Sequence, residues 1–443
     1  MADTEAAAQG EITGEFIAAL TPLARAKAIL GGSAGNLVEW YDWFAYASFS
    51  LYFAKVFFPN GDQTAQLLQT AAIFAVGFLA RPVGAWIMGL YADHAGRKAA
   101  LSLSVLLMCA GSLIVAVVPG YAVIGAAAPA ILTAARLLQG LSVGGEYGAS
   151  ATYMSEMAGK ARRGFWSSFQ FVTLIGGQIT ALGVLIVLQR TLSTQDLEAW
   201  GWRIPFVIGA ALAVVVFWIQ TGLEETASFE NERARAPSRS TTMLLFTKHP
   251  RETGMIFLLT AGGSLAFYCF TTYMQKFLTN TAHFSKGAAA EITAASLVAF
   301  LLVQPVFGWA GDRIGRRALL AASFGLGALT TWPILTVMGR TTDAWVATAW
   351  LCGALAILAG YTSVSAVVKS ELFPTRVRAL GVALPYALAN AVFGGTAEYV
   401  ALWFKQAGHE SGFYIYVSAV LGVACVVALR MRDTQAQSLI MED

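Results

Sequence analysis

Hydrophobic and polar positions along this chain separate into long blocks. Apolar runs cover roughly residues 29–53, 66–90, 99–118, 129–157, 165–189 and 202–222, then 253–279, 289–311, 317–338, 344–369, 379–404 and 411–430. Each holds about 20 residues or more, enough to cross a hydrocarbon layer of roughly 30 Å as a helix. Charged residues gather in the short segments between runs. The pattern predicts an all-α membrane protein with twelve transmembrane helices.

One connecting stretch occurs twice. Gly89, Asp93, Gly96 and Arg97, followed by Lys98, return as Gly308, Asp312, Gly315, Arg316 and Arg317, an offset of 219. Glu156 with Arg163 returns as Glu371 with Arg378 at an offset of 215, and Gly176-Gly177 as Gly394-Gly395 at 218. Three landmarks in one order indicate two homologous, pseudo-symmetric halves of six helices each. The expected organisation is an N-terminal tail (1–27), a first bundle (28–222), a linker (223–251), a second bundle (252–430) and a C-terminal tail (431–443).

Composition sharpens this reading. Hydrophobic residues make up 57% of the chain and charged residues only 12%, against roughly 25% charged in soluble domains. Alternate assignment of the loops puts twenty of the 29 Lys and Arg on one face, seven on the other, and leaves Arg81 and Arg136 inside helices. That bias predicts cytoplasmic termini and linker. The net charge of +3 is thus a topology signal and does not point to nucleic acid. No short apolar leader with a cleavage site precedes the first run, so no removable signal peptide is expected. Cys109, Cys269, Cys352 and Cys425 lie far apart inside apolar runs, as small buried residues rather than metal ligands or disulfides. Without a His-Cys cluster, phosphate loop or nucleophile elbow, the sequence predicts neither an enzyme nor a cofactor.

The first helix carries the densest chemistry. Gly35, Glu39, Asp42, Tyr46 and Phe49 fall within an arc of about 80° at 100° per residue. A charged Asp at mid-membrane costs about 2.5–3.5 kcal/mol on insertion scales, so these carboxylates must face a cavity, carry protons or be paired. Arg81 in the second helix and Arg136 in the fourth stay charged and need an anion from the protein or from a ligand. Gly140, Gly144 and Gly148 form a row suited to close helix packing. In the second half Lys369 is open to two readings, a pair with Glu371 or a ligand contact.

Taken together, these motifs resemble a known family. The paired Gly-x-x-x-Asp-x-x-Gly-Arg loops and the Arg of the fourth helix resemble the major facilitator superfamily. Gly35-Asn36 through Asp42, Arg81-Pro82-x-Gly84, Trp202-Arg203-Ile204-Pro205 and Glu371-Leu372-Phe373-Pro374 are similar to its metabolite:proton symporter branch. The first loop copy departs from the superfamily in reading Asp93-His94, where the second has Asp312-Arg313.

The resemblance implies a bacterial inner-membrane protein that takes up a small organic acid or osmolyte with a proton, as a functional monomer. A dicarboxylate fits two deep arginines; citrate, shikimate and a zwitterion such as betaine stay open. Arg81 and Arg136 are then the expected anion contacts, with Tyr46, Gln170, Tyr273 and Asn390 as further donors. Asp42, or Glu39 one turn away, is expected to carry the proton. If Arg136 approaches Asp42, substrate and carboxylate compete for one cation, which couples their binding. Gly89, Asp93, Gly96 and Arg97, with Gly308, Asp312, Gly315 and Arg316, are expected to latch the cytoplasmic side, with Glu156 and Glu371 as partners.

Overall fold

The computed structural model describes residues 22–95, 97–143, 162–221, 245 and 247–435. Among the described residues, twelve main helices follow one another, two of them in two pieces. In the first half they are α1 (Pro22–Phe57), α2 (Gln63–Ala95), α3 (Arg97–Val117), α4 (Ala127–Val143), α5 (Phe169–Thr191) and α6 (Ile204–Thr221). The second half has α7a (Pro250–Phe270) and α7b (Met274–Asn280), α8 (Lys286–Ile314), α9 (Arg316–Met338) and α10 (Ala344–Glu371). It ends with α11a (Thr375–Ala389), α11b (Ala397–Gln406) and α12 (Glu410–Arg430).

Among the described residues, nine helical segments are long and apolar enough to span a membrane, and α3 and α4 are shorter apolar helices. The remaining one, α1, is less hydrophobic because Trp40, Tyr41, Trp43, Tyr46 and Tyr52 share it with Glu39 and Asp42. Its buried aromatic side chains interlock with α2 and α6 instead, Trp43 on Phe74 and Phe78, and Phe53 on Phe206.

The halves repeat one packing scheme. In the first, α1 packs on α5 and α6, α2 on α4, and α3 on α4 and α6. In the second, α7 packs on α11 and α12, α8 on α10, and α9 on α10 and α12. Adding six to every helix number converts one scheme into the other. The halves meet where α5 lies on α8 and where α2 lies on α11.

Lipid supplies little hydrophobic drive between helices, so close backbone approach matters. A Cβ on Gly308 of α8 would lie 2.5 Å from the Gly164 carbonyl of the first half, so a side chain here would push the halves apart. Gly315 has φ +90° between α8 and α9, a conformation that glycine takes without strain. This explains why the repeated loop needs glycine at two of its positions. Of the row read for packing, Gly140 lies against Gly77 of α2; Gly144 and Gly148 lie outside the described residues.

Two helices read as continuous are broken. In α7, the Thr271 hydroxyl donates to the Phe267 carbonyl at 2.6 Å, competing with the helix ladder, and Tyr273 N bonds back five residues to Tyr268 O. In α11, Asn390–Gly394 forms a π-turn that Gly395 N closes on Asn390 O at 2.8 Å. Such wide turns re-aim side chains and recur at functional sites.

Candidate transport site

The chemistry begins on α1. Asn36 ties it to α5 by donating to Thr173 at 3.1 Å, while accepting from Trp40 at 2.8 Å. Six residues along, Asp42 is buried between α3, α4 and α6. Its Oδ1 accepts from Ser112 Oγ of α3 at 2.5 Å, and its Oδ2 from Gln139 Nε2 of α4 at 2.5 Å. Gln139 Oε1 in turn accepts from Arg136 Nη1 at 2.6 Å. Arg136 therefore reaches Asp42 through an amide, not by the direct approach that competition for one cation requires.

Ser112 suits a carboxylate that changes protonation. Its single hydrogen has two acceptors, Asp42 Oδ1 at 2.5 Å and the Met108 carbonyl at 3.0 Å. A protonated Asp42 can donate to Ser112, whose own hydrogen then turns to Met108. Both states are satisfied without displacing a heavy atom.

Arg136 and Arg81 share one indole. The Arg136 guanidinium lies 3.9 Å from the Trp43 ring centre, and the Arg81 guanidinium 4.2 Å from it. Arg136 also covers Tyr46 at 4.5 Å, and Arg81 covers Phe78 at 4.0 Å. Pro82 lacks the N–H that would bond the Phe78 carbonyl, which loosens the helix beside Arg81. Both arginines are buried, and among the described residues Nε and Nη2 of each lack a hydrogen-bond partner. Cation–π contact returns about 0.5–2 kcal/mol per arginine. Burying a charged group costs several kcal/mol. The aromatic cradle alone falls short, and the unpartnered N–H groups are free to donate to an anion. Glu39 lies within electrostatic reach of Arg81.

A small cavity opens where the halves meet. Phe171, Leu174, Gly263, Ser264, Phe267, Tyr268, Tyr361, Tyr386 and Asn390 line it. Arg81 lies over Phe78, whose ring meets that of Tyr268 at 5.2 Å. From the other half, Lys369 is buried with its ammonium 4.5 Å from the Tyr386 ring centre and 3.5 Å from the Tyr361 hydroxyl. Glu371, the other expected partner, binds Arg316 at 3.1 Å.

Not every expected donor joins this cavity. Asn390 lines it, and Gln170 sits beside its wall residue Phe171, buried. The Tyr46 hydroxyl donates to the Thr70 carbonyl at 3.1 Å, so Tyr46 offers Arg136 its ring face rather than a ligand its hydroxyl. Tyr273 packs on Phe413 of α12, and its hydroxyl faces Glu410 at 3.4 Å, outside the cavity wall.

Charged joints close both ends of the contact between halves. On the face predicted to be cytoplasmic, the Asp312 carboxylate accepts from the backbone N–H groups of Gly164 and Phe165 at 2.7 and 2.9 Å. Arg316 holds both Asp312, at 3.2 Å, and Glu371. Of the first-half copy, Gly96 and Glu156 lie outside the described residues; Gly89, Asp93 and Arg97 are described only in their helical backbone. On the opposite face, Glu198 binds Lys286 at 2.8 Å and also Lys55, and Arg190 binds Glu291 at 3.0 Å. Burial raises the Glu198 carboxyl, but its two lysines outweigh that and hold it below the ordinary value of 4.5.

Lys276 escaped sequence reasoning. The charge pattern puts it with the loop residues, yet it is fully buried, 3.2 Å from Glu398 of α11b and 2.6 Å from the Ala47 carbonyl of α1. Its place inside an apolar run, with Glu398 inside another, was the available signal.

Twelve helices in two matching halves, a central cavity and buried charge define a membrane transporter. The family profile described as "Sugar (and other) transporter" matches residues 28–244 and 223–442, and the chain belongs to that family. It is 51% identical over 407 residues to the "Alpha-ketoglutarate permease" of Escherichia coli (strain K12), covering 92% of this chain and 94% of that protein. It is 33% identical to the "Citrate-proton symporter" of Salmonella typhi, over 91% of this chain and 94% of that one. The major facilitator proton:xylose symporter XylE from E. coli, bound to 6-bromo-6-deoxy-D-glucose, shares the fold with a TM-score of 0.76. At 17% identity it covers 94% of this chain and 98% of its own.

Proposed function

We propose that this chain takes up 2-oxoglutarate with protons across the bacterial inner membrane by alternating access, as a monomer with both termini cytoplasmic. The observation that carries the reading is the pair of buried guanidiniums sharing Trp43, with four unpartnered nitrogens between them. They occur in a chain 51% identical to a protein named for that dicarboxylate. Arg81 and Arg136 grip the substrate, Lys369 draws its second carboxylate toward Tyr386, and Asn390 and Gln170 add amide contacts. Tyr46 supports Arg136 from its ring face.

Asp42 carries the proton in this reading, with Glu39 as the reserve position. Substrate bound to Arg136 draws that guanidinium away from Gln139 Oε1. The loosened amide then holds the Asp42 carboxylate less well, and the carboxylate takes up a proton. Anion and proton thus favour each other's binding. Residues 223–251 act as a cytoplasmic linker between the bundles 28–222 and 252–430. The loop carrying Gly89, Asp93, Gly96 and Arg97 latches to Glu156 as its copy does to Glu371.

A second reading, citrate as substrate, is favoured by the similarity to citrate-proton symporters. Counterflow in proteoliposomes, with 2-oxoglutarate, citrate, shikimate and betaine offered in turn, separates the two. The expected result is counterflow with 2-oxoglutarate and its accumulation when an inward pH gradient is imposed. Counterflow with citrate or betaine and none with 2-oxoglutarate would overturn the proposal.

A further inference from the structure

On the face opposite the Asp312 joint, two lysines of the second half climb one stripe of α1. Lys276 of α7b donates to the Ala47 carbonyl at 2.6 Å, and Lys286 of α8 donates to the Leu51 carbonyl at 2.9 Å. Lys55, one turn further, completes the stripe by binding Glu198. Positions 47, 51 and 55 are spaced by four, so they project from one side of the helix.

The two rungs differ in where their counter-ions reside. Lys286 binds Glu198, which belongs to the first half, and both side chains retain a share of solvent exposure, 26% and 20%. When the halves part there, each charge can be rehydrated. Lys276 and Glu398 have side-chain exposures of 0% and 4%, and both belong to the second half. A lysine so buried could not leave α1 bare, because a lone ammonium in a dry interior is costly. With Glu398 beside it, it leaves already neutralised.

We propose that Lys276 is a positioning residue of the transport cycle, bolting α7b to the backbone of α1 when this end is closed, and that Glu398 is its travelling counter-ion. The inference rests on the alternating-access reading, not on the identity of the substrate. The broken α7 makes the bolt possible, since α7b starts afresh after Tyr273 and turns Lys276 toward α1. Neutralising both partners together keeps the interior free of unpaired charge but removes the bolt. Neutralising Glu398 alone leaves the bolt and takes away the means of releasing it. The two changes therefore act in opposite directions.

The test is a distance measurement by pulsed electron paramagnetic resonance on the full chain in lipid nanodiscs, without substrate. Spin labels go on Asn60→Cys and Gln406→Cys, exposed positions of opposite halves at this end, with the four native cysteines replaced. The double variant Lys276→Met with Glu398→Gln should raise the long-distance population about tenfold relative to the parent, the effect of losing one charged hydrogen bond. Glu398→Gln alone should not raise it, and should slow uptake about tenfold or more by retarding opening. An unchanged distribution in the double variant, or a rise in both variants, would overturn the proposal. Because no substrate is present, an error in the substrate assignment leaves the distance result intact.

Discussion

The two halves share a packing scheme but differ in how the charges nearest the centre are held. In the second half each buried cation has protein company. Lys276 has Glu398, Arg316 has Asp312 and Glu371, and Lys369 lies over Tyr386 and beside Tyr361. In the first half, Arg81 and Arg136 rest on aromatic faces with nitrogens unpaired, and Asp42 is reached only through neutral groups. Paired charge suits a structural joint, since its energy is spent within the protein. Unpaired charge held in place suits a ligand, since its energy is released only on binding. In the proposed function the proton falls to the first half, while Lys369 and Asn390 of the second half join Arg81 and Arg136 at the anion.

Breaking the anion side of this contrast should have the largest effect. Arg136→Lys and Arg81→Lys keep a charge but lose the planar fork and its stacking on Trp43. Initial rates of 2-oxoglutarate uptake in proteoliposomes should fall more than about tenfold, the equivalent of one charge-assisted hydrogen bond of roughly 1.5–3 kcal/mol. Near-normal rates in both would return these arginines to a structural role.

Cutting the link between the anion and proton groups sharpens the contrast. Gln139→Leu removes the amide that joins Arg136 to Asp42 while keeping similar bulk. Counterflow should persist within a few-fold, and accumulation driven by a pH gradient should fall to near equilibration. Parallel loss of both would show that Gln139 matters to folding or binding, not to coupling.

The joints of the second half should respond as stability elements. Asp312→Asn weakens two bonds to backbone N–H groups and the contact with Arg316. A loss of about 1–3 kcal/mol is expected, read as a lower thermal unfolding midpoint in detergent. An unchanged midpoint would separate Asp312 from the joint.

The smallest effect concerns pH at the opposite face. Glu198 is held below its ordinary value of 4.5 by Lys286 and Lys55. Its stabilisation of that joint is therefore fully present above 4.5 and is lost as pH falls through the lowered value. The Asn60–Gln406 distance should stay constant from neutral pH down to about 5, above the ordinary glutamate range. Opening within that interval would assign the pH response to another group.

How much of this was legible in the sequence depends on how local each feature is. The helices were, because hydrophobic blocks and the duplicated loop are properties of neighbouring residues. Gly308 and Gly315 could be singled out by repetition, although only the contact with Gly164 and the positive φ explain them. The break in α7 was hidden, because Thr271-Thr272 inside an apolar run looks like ordinary helix until a hydroxyl bonds back. Lys276 and Glu398 stand 122 residues apart, and no periodicity pairs them. Gln139 was visible three residues after Arg136, on the same helix face, but a neutral amide draws less notice than a charge. Tyr46 shares the Asp42 face of α1 and Tyr273 falls in the α7 run, but the direction of a phenol depends on packing that neither position nor type encodes.

In the proposed function Asp42, linked to Arg136 through Gln139, couples proton to anion. The decisive variant is Asp42→Asn in proteoliposomes, with 2-oxoglutarate accumulation under an imposed pH gradient compared with counterflow at equal pH. Accumulation should be lost while counterflow persists, since exchange needs no net proton release. Accumulation against a gradient by Asp42→Asn would contradict that coupling and move the proton to Glu39.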